Sequence, residues 1–357
     1  MFKQDPFNEV DNLIVSEITY VYFDDCFKGN EKYSLKQLSD IYFKNHEAET
    51  KDEEFFKLVS STNRFKDCVM FNYVSKVDEE NYEQFGAFEL DLKDGTTYIA
   101  FRGTDDTLVG WHEDFMLAYT KINAQEDAYK YLKANLKPFK KYRIGGHSKG
   151  GNLAIYASLL LAKKHKRIVK IYSNDGPGLN KDFLPNDYKE LFSLIEDKYV
   201  KFIPEFDFFG TIFDISRNNV VIKSNATGIL QHQGYSWQVE GNGFVKGVES
   251  EDSKLIRNAF KDFFGCVDLS LRKEFVEEIF KAFDKAGIKN VADFSKGGFS
   301  VIASTIKNFS DMNDESKAVA NELIKVFSNR YINNFNKEVN EIKDSASNFI
   351  KNIVGKN

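Results

Sequence analysis

The stretch "YRIGGHSKGGNLAIYASLLLA", residues 142–162, places four glycines around one serine between two apolar runs. Three kinds of glycine-rich turn are candidates: a phosphate-binding loop, a dinucleotide-binding loop and a turn that presents a catalytic serine. A phosphate-binding loop ends in contiguous Gly-Lys-Ser/Thr, whereas here the lysine follows the serine. A dinucleotide-binding loop needs glycines at its first, third and sixth positions, and residues 145, 146, 150 and 151 do not supply that set. Both nucleotide-binding interpretations therefore fail.

The pattern that fits is G-x-S-x-G, with Ser148 at its centre. The preceding "YRIGG" predicts a strand and the following "GNLAIYASLLLA" predicts a helix, which is the context of a nucleophile elbow. Gly146 and Gly150 would lack side chains because strand and helix pass closely at such a turn. We therefore predict that Ser148 is a nucleophile and that the amide of Lys149, at the helix N-terminus, helps to hold an oxyanion. The alternative is a glycine-rich turn that only packs helix against strand.

A serine nucleophile needs a histidine base, and in this type of fold the base lies downstream of the serine. His232, in "GILQHQGYSW", lies between the strand-like "NVVIKS" and the strand-like "YSWQVEG", and we predict that it is the base. The chain has four other histidines, which have the wrong position or surroundings: His46, His112, His147, whose ring is expected to point away from the site, and His165.

The third member of a triad is an acid that orients the imidazole. Asp207 follows the strand-like "KYVKFIPEF" and is our first choice. Asp175, in "SNDGPG", is the second choice, because it is expected to shape the floor of a substrate site rather than to reach His232. Glu205 and Asp214 are further candidates, and the choice of acid stays open at this point.

The predicted elements place this site in the middle of an α/β chain. Residues 1–62 predict a helical N-terminal segment, with Ser34 as the N-cap of a helix. Residues 63–250 alternate β-rich runs with helical segments, which predicts a mostly parallel sheet covered on both faces. Residues 251–357 predict a helical C-terminal extension.

Composition and charge exclude several classes of partner. The 49 basic and 54 acidic residues are interleaved, so a net charge of −5 leaves no basic face for nucleic acid. Cys26, Cys68 and Cys266 lie far apart, which argues against a structural zinc site and fits reduced thiols. The N-terminus has no apolar leader, and "LAIYASLLLA" is about half as long as a membrane span. We expect a cytoplasmic protein without a transmembrane segment, metal or organic cofactor.

Beyond residue 314 an apolar stripe recurs at spacings of three and four, which is typical of a helix that packs against another surface. Its members are Ile332, Phe335, Val339, Ile342, Ala346, Phe349 and Ile353. The stripe is expected either to pack within the chain or to form a homo-oligomer or a partner interface.

With these residues in place, the chain resembles the class 3 lipase branch of the α/β-hydrolases over roughly residues 85–245. The segment "AFRGTDDTLVGWHEDF" resembles the family's FRGT and W-x-x-D segment, which implies that Thr104 is an oxyanion residue and that Trp111 and Asp114 are the W-x-x-D pair. "GGHSKGGNLA" resembles the elbow, "KFIPEFDFFG" aligns Asp207 with the acid, and "LQHQGYSWQV" places His232 as base. Trp111 and Asp175 are expected to contact substrate.

The resemblance implies an intracellular serine esterase that cleaves a small acyl ester through an acyl-enzyme. Thioesterase or acyltransferase activity with the same triad, or a non-catalytic binding scaffold, are the alternatives. One departure from the family is Lys149, which stands where the family has a hydrophobic residue and is expected to place a charge near the rim of the site.

Overall fold

The computed structural model describes residues 2, 4–78, 80, 83–105, 108–214 and 219–287. Its helices are α1 (Glu9–Ile18), α2 (Leu35–Tyr42), α3 (Lys51–Ser61), α4 (Leu108–Met116), α5 (Asn123–Asn135), α6 (Lys149–Leu160), α7 (Tyr188–Ser193), α8 (Glu251–Cys266) and α9 (Leu269–Lys285). Its strands are β1 (Lys32–Ser34), β2 (Val69–Asp78), β3 (Glu83–Asp91), β4 (Thr96–Phe101), β5 (Lys141–His147), β6 (Ile168–Asn174), β7 (Tyr199–Pro204), β8 (Asn219–Ile222), β9 (Val239–Glu240) and β10 (Gly243–Phe244).

Eight of the described strands form one sheet in the order β1 to β8, so each strand lies beside its neighbour in the chain. The pairings from β1 to β4 are antiparallel, and the four pairings from β4 to β8 are parallel. Helices flank this sheet, which confirms the predicted α/β-hydrolase fold class.

Sequential strand order determines which face the crossover helices cover. Parallel connections are almost always right-handed, so helices that join strands in this order fall on the same face. Residues of α5, α6 and α7 accordingly form one hydrophobic core with inward side chains of β4 and β5, such as Ile99 and Ile144. The opposite face, which includes Tyr98 and Ala100, packs in a second core with residues of α1, α2 and α3. The N-terminal helices thus cover a face that the crossover helices leave open.

Each of the first three helices begins with a capping box. Asn8, Ser34 and Thr50 accept hydrogen bonds from the first-turn amides of α1, α2 and α3, and the third residue of each helix returns a side-chain bond to the cap. The predicted N-cap at Ser34 is confirmed.

Six β-rich runs in residues 63–250 correspond to strands β3 to β8, namely FGAFELDL, TTYIAFRG, YRIGGH, RIVKIYSN, KYVKFIPEF and NVVIKS. Sequence analysis missed β1, a three-residue edge strand, and β2, whose exposed and half-buried residues lack a clear apolar alternation. The predicted strand "YSWQVEG" shortens to β9, and Trp237 forms an isolated bridge with Ser224.

The helical prediction after residue 250 is confirmed for α8 and α9, while the apolar stripe from Ile332 to Ile353 lies outside the described residues. The division of the chain at residues 62 and 250 stays a prediction.

Cys26 and Cys68 are buried free thiols. No helix in the described part of the chain has the length and hydropathy needed to cross a membrane. The same residues contain no group of three or more His, Cys, Asp or Glu side chains placed to hold a metal ion.

The packing of α1 on the sheet gives a stability prediction. Leu13 of α1 is 0% exposed within the core, so Leu13→Ala should lower the free energy of unfolding by about 2–5 kcal/mol. Leu58 of α3 is 40% exposed, and Leu58→Ala is a control that should change it by less than about 1 kcal/mol. Urea denaturation followed by fluorescence and circular dichroism would measure both. Equal, small effects of the two substitutions would show that α1 is not part of the cooperative core.

Candidate active site

Ser148 lies on the turn between β5 and α6, with φ of 54° and ψ of −128°. This positive φ is strained for a residue with a side chain, as expected for a nucleophile elbow. Its N–H donates to the carbonyl of Asn174 at the end of β6, with 2.9 Å between the two atoms. Its side chain makes no capping hydrogen bond to α6, so the hydroxyl is not engaged by the helix N-terminus. The residue is nevertheless only 7% exposed.

The predicted reason for the two flanking glycines is confirmed. A Cβ added at Gly150 would lie 2.2 Å from the carbonyl oxygen of Phe101, and one added at Gly146 would lie 2.5 Å from the same atom. The start of α6 therefore approaches the end of β4 too closely for any side chain at these two positions.

His232 ends a short 3-10 turn, Gly228–His232, and its Nδ1 lies 2.6 Å from Oδ2 of Asp175. The expectation that Asp175 would not reach His232 is therefore wrong, while its expected contact with substrate stays a prediction. Asp175 follows β6, the strand beside β5, so the end of β6 carries this carboxylate next to the serine turn. Because Asp175 adopts a positive φ of 52°, the chain turns sharply there and directs the carboxylate toward the histidine loop.

Asp207, the acid chosen first from the sequence, lies one strand further from the serine. The hydrogen bond at Nδ1 of His232 is made by Asp175, which corrects that choice. Asp207 is fully buried, and its Oδ1 accepts from the N–H of Gly210 at 2.7 Å. Its side chain lies next to that of Asp175, since oxygens of both carboxyl groups border the same position at Gly210.

His147, which was expected to point away, holds the backbone of His232. Its Nε2 donates to the carbonyl oxygen of His232 at 2.8 Å, and the centroids of the two rings are 4.7 Å apart. With Nε2 protonated, Nδ1 accepts from the hydroxyl of Tyr20 at 2.8 Å. Burial lowers the pKa of His147 well below its usual value, so the ring is neutral and both of its nitrogens are engaged. The residue beside Ser148 thus fixes the loop that carries His232.

Helix α1 reinforces the same region from the opposite face of the sheet. Asn12 donates to the side-chain oxygen of Asn174 at 2.7 Å, and the Asn174 amide donates to the hydroxyl of Ser16 at 3.0 Å. The carbonyl of Asn174 accepts the Ser148 N–H described above, and its chain neighbour is Asp175. The N-terminal helix therefore supports the strand end that holds both the serine and the acid.

The FRGT segment is fixed by the helix that follows it. The hydroxyl of Thr104 donates to Oδ2 of Asp114 on α4, with 2.5 Å between the two oxygens. The aspartate of the W-x-x-D pair thus restrains the loop that carries Thr104. Trp111 lies on the same helix, and its side chain is outside the described part of the structure.

Lys149 does not place a charge at the rim, which corrects the expectation from sequence. Its side chain is 0% exposed, and Nζ donates to Oε2 of Glu113 on α4 and to the carbonyl oxygen of Gln84 on β3. Glu113 in turn accepts from the N–H of Gln84 at 3.1 Å. Because α4 carries both Glu113 and the Asp114 that binds Thr104, the buried ion pair connects the two predicted oxyanion residues.

Four buried carboxyl groups near the site have raised pKa values, and burial raises that of Asp207 well above its usual range. Burial raises the pKa of Glu17 to about 8, and it raises those of Asp114 and Asp175 to about 7. Glu17, on α1, has an Oε1 atom 3.7 Å from Nδ1 of His147. A carboxylate loses its hydration on burial, so the neutral acid is favoured in the folded protein.

Sequence analysis missed Tyr20, Glu17 and Glu113 as parts of this region. The first two belong to the N-terminal segment, which carries no motif, and only the packing of α1 against β5 brings them to the elbow. For Glu113 a signal existed, since a lysine inside an elbow needs an anionic partner if it is buried.

The buried Lys149–Glu113 pair gives a prediction for stability. Lys149→Met leaves the carboxylate of Glu113 buried without its cation, so it should lower the free energy of unfolding by about 3–5 kcal/mol. The double variant Lys149→Met/Glu113→Gln should be more stable than the single variant, because glutamine is neutral and still offers an oxygen to the N–H of Gln84. Urea denaturation would measure both.

A matched control uses the ion pair between Lys281 and Glu278, whose side chains are both exposed. Lys281→Met should leave stability unchanged within error, since solvent screens an exposed pair. A double variant less stable than Lys149→Met would contradict the interpretation.

The raised pKa values predict how stability depends on pH. A carboxyl group whose pKa is raised on folding binds more protons in the native than in the unfolded state, so it stabilises the fold at low pH and that contribution is lost as the pH rises. The neutral His147 has the opposite effect, but only below about pH 6.5, the usual histidine pKa. From about pH 6.5 to about 8, the free energy of unfolding should therefore fall as pH rises.

Urea denaturation at a series of pH values tests this sign, and Glu17→Gln should make the dependence shallower because it removes a carboxyl group whose pKa is raised to about 8. A stability that climbs across this range, or an unchanged slope in the variant, would refute the assignment.

The geometry can now be set beside known proteins. A structure search matches lipase II from Rhizopus niveus, at 16% identity and a TM-score of 0.29, over 42% of this chain and 64% of that one. It also matches M37 lipase, at 14% identity and a TM-score of 0.37, over 72% of this chain and 81% of that one. The chain thus spans less than two thirds of the length of the Rhizopus protein. A search of curated proteins finds no match.

The model of one protein family matches residues 59–281, which include the elbow, both acids and His232. This range covers more than half of the chain. The chain therefore belongs to the Mbeg1-like family, a class 3 lipase-like family of α/β-hydrolases.

Proposed function

We propose that this protein is a serine esterase in which Ser148, His232 and Asp175 form the catalytic triad. The observation that carries the proposal is the hydrogen bond between Nδ1 of His232 and Oδ2 of Asp175, placed at the strand ends that flank the strained Ser148 turn. An imidazole held by a buried carboxylate at one nitrogen presents the other nitrogen as a base.

In the proposed reaction, Ser148 Oγ attacks the carbonyl carbon of an acyl ester while its proton passes to Nε2 of His232. The tetrahedral intermediate collapses when His232 returns that proton to the alcohol oxygen, and the C–O bond of the ester breaks. Water then attacks the acyl-enzyme with His232 as base, which releases the acid and restores Ser148. Asp175 keeps the proton of His232 on Nδ1 and stabilises the imidazolium, without accepting the proton itself.

Two backbone amides are proposed to stabilise the oxyanion. Lys149 is the first residue of α6, where an amide has no carbonyl partner four residues earlier, so its N–H is available to a ligand. The second donor is the amide of Thr104, since its hydroxyl is engaged by Asp114. The Lys149–Glu113 pair supports this arrangement because it holds α4, and with it the Thr104 loop, against the elbow.

The role of His147 follows from its contacts. Its nitrogens are engaged by Tyr20 and by the carbonyl of His232, and it is held neutral, so it is not the base of this proposal. It keeps the His232 loop beside the serine.

A fluorophosphonate probe tests the proposal, because only an activated serine reacts rapidly with it. Ser148→Ala should abolish labelling and lower the hydrolysis of nitrophenyl esters by roughly 10⁴–10⁶-fold. His232→Ala should have a similar effect, and combining the two should add little, because triad residues act as a unit. Asp175→Asn should lower kcat by about 10⁴-fold by allowing the wrong histidine tautomer.

Ser61→Ala is a matched control, since this exposed hydroxyl only donates to the carbonyl of Leu58. It should retain full labelling, and every variant should keep its circular dichroism spectrum. Persistent labelling of Ser148→Ala, or wild-type turnover by His232→Ala, would refute the proposed triad. A series of esters of increasing acyl length, paired with the matching thioesters, would show which acyl group and leaving group the site prefers.

A further inference from the structure

Two carboxyl groups converge on one point behind His232. Asp175 and Asp207 follow β6 and β7, which are neighbouring parallel strands whose ends meet at the same edge of the sheet. A Cβ added at Gly210 would lie 2.8 Å from Oδ1 of Asp175 and 2.7 Å from Oδ2 of Asp207. The two carboxyl oxygens therefore face the same small space, which only a glycine at position 210 leaves open.

Each of the two carboxyl groups has one oxygen with a hydrogen-bond donor and one that faces this space. Oδ2 of Asp175 is used by His232, and Oδ1 of Asp207 is used by the N–H of Gly210. Within the described residues, the remaining oxygens, Oδ1 of Asp175 and Oδ2 of Asp207, are buried and accept no hydrogen bond. Ionised carboxylates only accept, so two facing carboxylate oxygens repel each other, whereas a single proton between them satisfies both.

We propose that Asp175 and Asp207 share one proton, and that Asp207 is a positioning residue which holds the carboxylate of Asp175 toward His232. This inference rests on the proposed triad and extends it by one residue. It also gives a role to Asp207. The sequence motif indicated Asp207 as the triad acid, whereas the hydrogen bond to Nδ1 of His232 is made by Asp175.

The surrounding charges favour the proton on Asp207. Burial raises the pKa of Asp207 well above its usual value, and the neighbouring Asp175 raises it further, while Lys201 opposes the shift. Lys201 is fully buried on β7 and is committed to an ion pair with Asp214 at 3.2 Å. The cation therefore does not replace the shared proton.

Helix α8 contacts the same aspartate through its backbone. The hydroxyl of Ser253 donates to the carbonyl oxygen of Asp207 at 3.1 Å, and it also lies 3.0 Å from Oε1 of Glu249. Glu249 is paired with Arg257. These contacts hold the Asp207 backbone in place and leave its carboxyl group to Asp175 and Gly210.

One shared proton suits the chemistry of the triad. With the proton present, the pair presents a single negative charge to His232, which the imidazolium formed in the reaction neutralises. Without it, both carboxylates would be ionised and would repel each other, because like charges that share one small buried space are unfavourable. Asp175 would then lose its alignment with Nδ1 of His232.

Variants of Asp207 separate a positioning role from a merely structural one. Asp207→Asn replaces the shared proton with a permanent amide donor, so kcat at pH 7 should stay within about tenfold of the wild type. The loss of activity at alkaline pH should move to higher pH, because the amide does not ionise. Asp207→Ala removes the donor and should lower kcat by roughly 10–100-fold, the effect of losing the group that orients a reacting side chain, with KM unchanged.

Infrared difference spectra of the resting protein test the proton directly and need no turnover. Protein labelled with ¹³C-aspartate should show the carbonyl stretch of protonated carboxyl groups at neutral pH. Asp207→Asn should remove one component of this band, while a component from Asp114, whose pKa is raised to about 7, remains. Asp182→Asn is the matched control, since its carboxylate is half exposed and pairs with Arg272, and it should retain every component of the band.

The two proposals fail in different ways. If no component of the band is lost in Asp207→Asn, or if Asp207→Ala keeps the wild-type kcat while Ser148→Ala is inactive, the shared proton is refuted and the triad stands. If Ser148→Ala keeps full activity, the triad is refuted, and the infrared result still reports whether the two carboxyl groups share a proton. Melting temperatures close to the wild type show that the variants report on the site rather than on unfolding.

Discussion

The close approach of α6 to the end of β4 is the constraint on which the site depends. A Cβ at Gly150 would lie only 2.2 Å from the carbonyl oxygen of Phe101, so glycine at this position allows the helix to begin immediately after β5. The chain then turns within one residue, and Ser148 adopts a strained backbone conformation there. That turn places the Ser148 N–H on the carbonyl of Asn174, so the end of β6 is joined to the elbow. The acid that follows β6 is thereby brought beside the serine in the same step.

The sequential order of the strands explains why the N-terminal helices are needed. Right-handed crossovers place α5, α6 and α7 on one face, so the other face of the parallel strands would be exposed without α1. Once α1 covers that face, its Asn12 and Ser16 lie next to the strand ends and bind Asn174, and Tyr20, just after the helix, binds His147. A helix whose packing serves the hydrophobic core thus also fixes the residues beside the elbow.

Buried charges are organised in pairs around this centre, and each pair joins two different elements of the fold. Lys149 and Glu113 connect the start of α6 to α4, and Lys201 and Asp214 connect β7 to the loop after it. Isolated buried charges are strongly unfavourable, so the partner of each one constrains how its element packs. The raised pKa values of Glu17, Asp114, Asp175 and Asp207 belong to acids whose burial is not fully compensated, and these acids lie around the same site.

Local pattern was sufficient for the elbow and most of the elements. The spacing of Gly146, Ser148 and Gly150 between a strand and a helix determines the turn, because steric exclusion at a strand-to-helix junction is a local property. The same is true of strands β3 to β8 and of the cap at Ser34, which depend on periodicity and on hydrogen bonds within a few residues.

Only the tertiary structure decided which acid meets His232 and where the side chain of Lys149 lies. Asp175 and Asp207 both follow parallel strands, so sequence position alone does not separate them, and the choice depends on the path of a loop more than 50 residues away along the chain. The sequence predicts that Lys149 is a surface charge, because its partner Glu113 lies 36 residues earlier in the chain and contacts it only in the folded protein. Both outcomes depend on contacts between distant segments, whose free energy is determined by burial and by pairing in three dimensions and not by local sequence.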